Sequence, residues 1–278
     1  MTDFTTELAV ATRLAHEASR VILEVYARPF DVVNKAGGAG PVTEADQRAN
    51  ELIVRGLRDA FPDDDVVAEE SANARPTKRR VWFVDPLDGT REFVDKNGMF
   101  AVHVGLAVDG VAAAGVVHSP VQGATWTGAK GQPCRLQVGD QARELRMAPV
   151  LEPSALRLLV SRSHKSKKTE RIRQALGITR VREHGSVGLK VALLTLGEAD
   201  LYLHPSPRSS RWDSCAPQAV IEAAGGVLVD FGGNPYRYDG AELVNGRGLL
   251  ACAKETLAVV GPTIERLARE TGLLPGGA

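Results

Sequence analysis

Leu8, Ala11, Ala15, Ala18, Ile22 and Val25 recur at alternating steps of three and four, which is one apolar face of a helix over about residues 4–27. Pro29 stops it. A second stripe, Ala45, Ala49, Leu52, Ile53, Leu57 and Ala60, predicts another helix that ends at Pro62. Between them, residues 34–41 (NKAGGAGP) set small, turn-prone residues between polar ends and read as a mobile loop. After Phe61 the period changes. Val66-Val67-Ala68 and Val81-Trp82-Phe83-Val84 are short apolar runs rich in β-branched and aromatic residues, the pattern of buried strands. Residues 101–118 read as two strands around the turn Asp109-Gly110, and residues 124–138 add more strand.

The second half alternates. Strands over residues 156–160, 180–183, 201–203, 227–230 and 249–251 interleave with helices over 167–176, 187–196, 214–224 and 256–270, the third opened by Asp213. Alternation of this kind implies an α/β layer. The pattern switches around Pro149 and Pro153. The expected division is therefore residues 1–150, helices plus a sheet, and residues 151–278, an α/β half. There is no internal repeat.

Composition changes this picture only by exclusion. The 278 residues hold 34 Lys plus Arg and 34 Asp plus Glu, so the formal net charge is zero. A bulk phosphate-backbone binder carries a cationic excess, so nucleic acid is not an expected partner. Cys134, Cys215 and Cys252 form no C-x-x-C pair and read as buried thiols in a reducing compartment. The first residues meet Glu7, Arg13 and Glu17 before any long apolar run, unlike a secretory leader, and no segment is apolar enough to span a membrane. A cytoplasmic protein is expected.

The candidate chemistry centres on Val81-Trp82-Phe83-Val84-Asp85-Pro86-Leu87-Asp88-Gly89-Thr90-Arg91-Glu92-Phe93. A buried strand delivers Asp85 at its C-terminal end, where α/β sheets place ligand sites. Pro86 and Gly89 predict a tight turn that returns Asp88 beside Asp85. Two carboxylates so close repel unless a cation lies between them, and hard oxygen donors suit Mg²⁺. Asp-Pro and Asp-Gly alone would be ordinary turn formers. The spacing fits neither the D-x-D-G-T motif of aspartyl-phosphate phosphatases nor an EF-hand loop. Further acidic elements are Ala68-Glu69-Glu70-Ser71, Arg211-Trp212-Asp213-Ser214 before a helix, and Pro41-Val42-Thr43-Glu44-Ala45-Asp46. Asp213 and Asp46 each also have a plain helix-capping explanation.

In order and spacing, PVTEAD, AEES, DPLDGT and WDSCAPQAVIEAAGG resemble the lithium-sensitive, Mg²⁺-dependent phosphatases of the inositol monophosphatase superfamily. The resemblance runs over about residues 5–260. It implies the layered α-β-α-β-α sandwich of the inositol monophosphatase and fructose-1,6-bisphosphatase type. It also implies two or three Mg²⁺ ions: Glu69, Asp85 and the Leu87 carbonyl on one, Asp85, Asp88 and Asp213 on a second, and a third, weaker ion at Glu69. Thr90, oriented by Asp46, and Glu69 would place a water for in-line attack on phosphorus. Gly89 and Thr90 amides would hold phosphate oxygens.

Within the superfamily, Asp-Gly-Thr-Arg-Glu-Phe looks like the 3′(2′),5′-bisphosphate nucleotidases rather than the inositol enzymes, which typically read Asp-Gly-Thr-Thr-Asn-Phe. Ser161-Arg162-Ser163-His164 and Lys190 point the same way. This implies a substrate site of Asp88, Gly89, Thr90, Ser161, Arg162, His164, Ser186, Lys190 and Asp213. Two departures stand out. His204 replaces an arginine of some eukaryotic nucleotidases, and their substrate serine falls near Val187, beside Ser186. The expected reaction is removal of the 3′-phosphate of 3′-phosphoadenosine 5′-phosphate, or its sulfated form, in sulfur assimilation. The alternatives are an inositol, sugar or histidinol phosphate phosphatase of the same fold, and a non-catalytic Mg²⁺- or nucleotide-binding regulator. Both a monomer and a homodimer fit the resemblance.

Overall fold

The computed structural model describes residues 3–35, 40–71, 75–163, 166–207 and 209–275. Helices α1 (Thr5–Tyr26) and α2 (Glu44–Ala60) flank a short antiparallel ribbon of β1 (Val32–Asn34) and β2 (Pro41–Thr43). The ends of the expected loop, Asn34 and Pro41, are thus paired strand residues, and residues 36–39 lie outside the described ones. Next come β3 (Asp65–Ala68), β4 (Arg80–Asp88), α3 (Thr90–Val94), β5 (Ala101–Val108), β6 (Val111–Ser119), β7 (Ala124–Ala129), β8 (Cys134–Val138) and β9 (Gln141–Leu145). These seven strands form one sheet in sequence order, antiparallel except for the β3/β4 pair. The polar strand β9 had no apolar run to announce it and is recruited by pairing with β8.

The remaining elements are β10 (Arg157–Ser161), α4 (Lys167–Ala175), β11 (Arg180–His184), α5 (Val187–Thr195), β12 (Leu201–His204), α6 (Arg211–Ala223), β13 (Gly226–Val229), β14 (Leu249–Ala253) and α7 (Lys254–Glu270). The second sheet has the order β11-β10-β12-β14-β13. β10 runs parallel to β11 and β12, while β14 is antiparallel to β12 and β13, so the α/β half is a mixed sheet.

Three buried apolar clusters mark the layer interfaces. One joins α1 and α2 to the outer face of the first sheet. A second joins that sheet's inner face to α5, α6 and the second sheet. The third seats α4 and α7 on the far face of the second sheet. The result is the expected α-β-α-β-α sandwich. The three cysteines are free and buried, and among the described residues no helix is long and apolar enough to cross a membrane.

A row of glycines sets how close α6 comes to the first sheet. Gly105 of β5 pairs with Gly115 of β6, which pairs with Gly128 of β7. A Cβ on Gly115 would lie 2.4 Å from the Ala216 carbonyl oxygen, and one on Gly105 would lie 2.5 Å from the Ala216 nitrogen. Only bare backbone on three neighbouring strands lets the helix sink this far. That helix carries Asp213.

Candidate active site

Residues 81–87 of β4 are all buried, and the pairing of β4 with β5 slips inside the acidic motif. Asp85 pairs with His103 and Asp88 with Ala101, so two residues of β4 stand against one of β5. Side chains alternate along a strand, and residues three apart would otherwise face opposite ways. The extra residue returns Asp88 to the face of Asp85. The expected tight turn is therefore corrected to a β-bulge. Gly89 follows at φ 99°, a left-handed conformation, and a Cβ there would meet the Met99 carbonyl oxygen at 3.1 Å.

Asp213 arrives from the other half. α6 starts at Arg211 with Ser210 as its N-cap, not at Asp213. Asp213 sits three residues inside, and its carboxylate accepts the Ser210 N–H at 2.5 Å, one arm of a capping box. Carboxylate oxygens of Asp85, Asp88 and Asp213 all lie within 4.8 Å of one another. Burial, then the charges of Glu69, Asp88 and Asp213, pushes Asp85 well above the usual carboxylate range. Burial, then Asp88 and Glu69, pushes Asp213 up to about 8. Three hard-oxygen donors in one small space could hold a metal ion, which would relieve their mutual repulsion.

Glu69 opens a short 3₁₀ turn at the end of β3, beside this cluster. Lys35 Nζ lies 2.7 Å from Glu69 and 2.5 Å from Glu70. Burial raises Glu69 despite the attraction of Lys35. Burial alone would lower the Lys35 ammonium, but the two carboxylates outweigh it and hold it above its ordinary value.

The Thr90 hydroxyl lies 2.9 Å from Asp46 Oδ1 and 3.3 Å from the Leu87 carbonyl oxygen. Asp46 Oδ2 accepts the Thr43 N–H at 2.8 Å and the Thr43 hydroxyl at 2.7 Å. Thr43 is thus the N-cap of α2, and Asp46, at the third helical position, is fixed on both oxygens. Its carboxyl is raised, chiefly by burial.

Among the expected substrate residues, Ser186 caps α5 at a strained φ of 52° and donates to Asp88 Oδ2 at 2.6 Å. The same oxygen accepts the Val187 and Gly188 N–H groups at 2.5 and 3.2 Å. Lys190, one turn on, is buried, with Nζ 3.3 Å from the His184 carbonyl oxygen and 5.1 Å from the Tyr202 ring centre. Burial lowers its ammonium to about 8, while Asp88, Glu92 and Asp213 pull it upward. Arg162 is engaged elsewhere, 2.6 Å from Glu92 and 2.8 Å from Asp95. Ser161 ends β10, opposite His184. His204 ends β12 and stacks against Tyr202. His164 lies outside the described residues.

The sequence motifs did not point to Lys35 or to His103. Lys35 lay within the stretch read as a loop. His103 becomes visible only with the register of β4 against β5, which sets it opposite Asp85.

The model of the inositol monophosphatase family matches residues 3–267. The chain belongs to the inositol monophosphatase family. The 3′(2′),5′-bisphosphate nucleotidase CysQ of Escherichia coli (strain K12) is 36% identical over 231 residues, covering 81% of this chain and 91% of that protein. Inositol monophosphatase 1 of Mus musculus is 29% identical over 280 residues, covering 95% and 94%. Among solved structures, CysQ from Bacteroides thetaiotaomicron superposes with a TM-score of 0.76 at 27% identity, covering 90% of this chain and 98% of that one. An IMPase from Thermotoga maritima reaches 0.81 at 23% identity, covering 96% and 99%, a likeness of fold.

Proposed function

We propose that the protein is a Mg²⁺-dependent 3′(2′),5′-bisphosphate nucleotidase that removes the 3′-phosphate of 3′-phosphoadenosine 5′-phosphate. The observation that carries this reading is the pairing of the Asp85, Asp88 and Asp213 cluster with a buried lysine, Lys190, one turn into the helix whose first amides donate to Asp88. A second phosphate on the substrate gives such a cation a purpose. The 36% identity to the E. coli nucleotidase supports the same choice.

Asp85, Asp88 and Asp213 would hold the cation, with Glu69 and the Leu87 carbonyl beside them. The ion supplies Lewis acidity, lowering the pKa of a water and neutralising charge on the phosphate. The protein's own part is orientation. The Thr90 hydroxyl donates its hydrogen bond to Asp46 Oδ1, which would leave its lone pairs to accept from a water. The Gly89 and Thr90 amides would face phosphate oxygens as charge develops on them. A cytoplasmic place in sulfur assimilation, and inhibition by lithium, belong to this reading.

A second reading, an inositol or sugar phosphate phosphatase, is favoured by one observation. Arg162, expected at the second phosphate, spends its guanidinium on Glu92 and Asp95. Phosphate release with Mg²⁺, with and without lithium, separates the two. The panel is 3′-phosphoadenosine 5′-phosphate, inositol 1-phosphate, fructose 1,6-bisphosphate and histidinol phosphate. The nucleotidase reading expects kcat/KM at least about tenfold higher for the nucleotide, about 1.4 kcal/mol of transition-state preference. Preference for inositol 1-phosphate or a sugar phosphate would replace it with the second reading.

A further inference from the structure

His103 lies on β5 directly opposite the acidic bulge, and its side chain is fully buried. Its Nε2 stands 3.2 Å from Asp88 Oδ2, and its ring also interacts with the backbone of Trp212, the residue before Asp213. Beyond these two contacts neither ring nitrogen has a polar partner among the described residues, and neither makes a well-aligned hydrogen bond. Burying an imidazole with so few partners is costly, so the ring's place beside Asp88 needs a reason.

Helix α5 makes room for it. Gly188 stands in the first turn of α5, where glycine is a poor helix former. A Cβ there would lie 2.1 Å from His103 Nε2 and 2.8 Å from Val117. The helix thus forgoes a side chain at the position where the imidazole enters. Asp88 Oδ2 is then surrounded by Ser186, Val187, Gly188 and His103. With these contacts all on Oδ2, the hydrogen bonds of Asp88 leave Oδ1 to a further partner.

We propose that His103 is a positioning residue that fixes the orientation of Asp88, so that one carboxylate oxygen is presented to the cation. The proposal rests on the acidic cluster holding a divalent cation, and not on which phosphate ester is hydrolysed. A group behind a metal ligand typically changes cation affinity by about 10–100-fold when removed. His103 has no contact with substrate in this account. Its effect is expected in cation affinity, and in activity at limiting Mg²⁺, with kcat at saturating Mg²⁺ changed far less.

The test is calorimetric titration of Mg²⁺, and of Mn²⁺ as a tighter probe, into the chelator-stripped protein without substrate. His103→Leu removes the polar contact, and His103→Asn keeps an N–H donor. The expected result is cation affinity at least about tenfold weaker for the leucine variant, with most of it restored by asparagine. Should leucine prevent folding, Gly188→Ala keeps the histidine and displaces its ring, and the same loss of affinity is expected. Equal cation affinity in wild type and either of these variants would overturn the proposal. So would failure of asparagine to bind better than leucine, because only packing would then matter. If the wild type itself binds neither ion, the reading of the acidic cluster falls and takes this role with it.

Discussion

Asp88 accepts a 2.6 Å hydrogen bond from Ser186, so a carboxylate on the first sheet sits at the N-terminus of the helix that joins β11 to β12 of the second. One side chain therefore serves two purposes. Its charge belongs to the acidic cluster, and its Oδ2 closes the N-terminus of α5, where a negative group is favoured. The two halves are joined at the point where the chemistry is expected.

Asp88→Asn separates these purposes. The amide oxygen still accepts from Ser186 and the α5 backbone, while the charge is lost. Activity should fall at least about a thousandfold, and calorimetric Mg²⁺ affinity should fall with it. The melting temperature without metal should hold or rise, because repulsion with Asp85 and Asp213 is relieved. Near wild-type turnover would remove Asp88 from the centre.

Gly115→Val tests the glycine row beneath α6. Its side chain would collide with Ala216 backbone, and overpacking of this kind costs about 1–3 kcal/mol. Because α6 carries Asp213, Mg²⁺ affinity should drop in molecules that remain folded. A stability loss with unchanged Mg²⁺ affinity would mean that α6 is held by its N-terminal contacts alone.

Lys190→Met keeps the aliphatic stem and removes the charge. The KM for 3′-phosphoadenosine 5′-phosphate should rise about tenfold, and that for inositol 1-phosphate by less than about threefold. Equal changes would mean that the ammonium serves the metal cluster and not a second phosphate.

Acid stability should depend on His118. This histidine and His16 share the Thr125 hydroxyl, at 2.9 and 2.8 Å, with ring centres 4.7 Å apart. Burial, then His16, lowers His118 to about 4, and burial followed by Arg20 lowers His16. The folded protein therefore favours neutral imidazole. Its contribution is complete above the unfolded pKa of about 6.5 and is lost as pH falls toward about 4, by at most about 1.4 kcal/mol per pH unit. Urea midpoints from pH 7.5 to 4.5 should fall more steeply for wild type than for His118→Gln. Parallel slopes would count against this assignment.

Much of this is legible in the sequence. The apolar periods of α1 and α2 and the β-branched runs of β3 and β4 reflect burial on a defined face, which sequence records directly. The adjacency of Asp85 and Asp88 was legible too, but its cause was not. A bulge depends on the register with β5, and register is a property of two strands. The start of α6 was placed late because Ser210 and Asp213 both have N-cap chemistry, and only the backbone shows which caps. β9 is exposed throughout apart from Leu145 and holds only Ala142 besides it among apolar residues, so its pairing left no apolar signature. Lys35 and His103 act through tertiary proximity, for which neither has a local pattern.

The account stands most directly on where the phosphate comes from. We would follow 3′-phosphoadenosine 5′-phosphate by ³¹P NMR with Mg²⁺ in ¹⁸O-enriched water. The account predicts loss of the 3′-phosphorus signal, retention of the 5′ signal, and one solvent ¹⁸O in the released phosphate. Loss of the 5′ signal, or ¹⁸O left on the nucleoside, would contradict it, as would a nucleotide untouched while inositol 1-phosphate is hydrolysed.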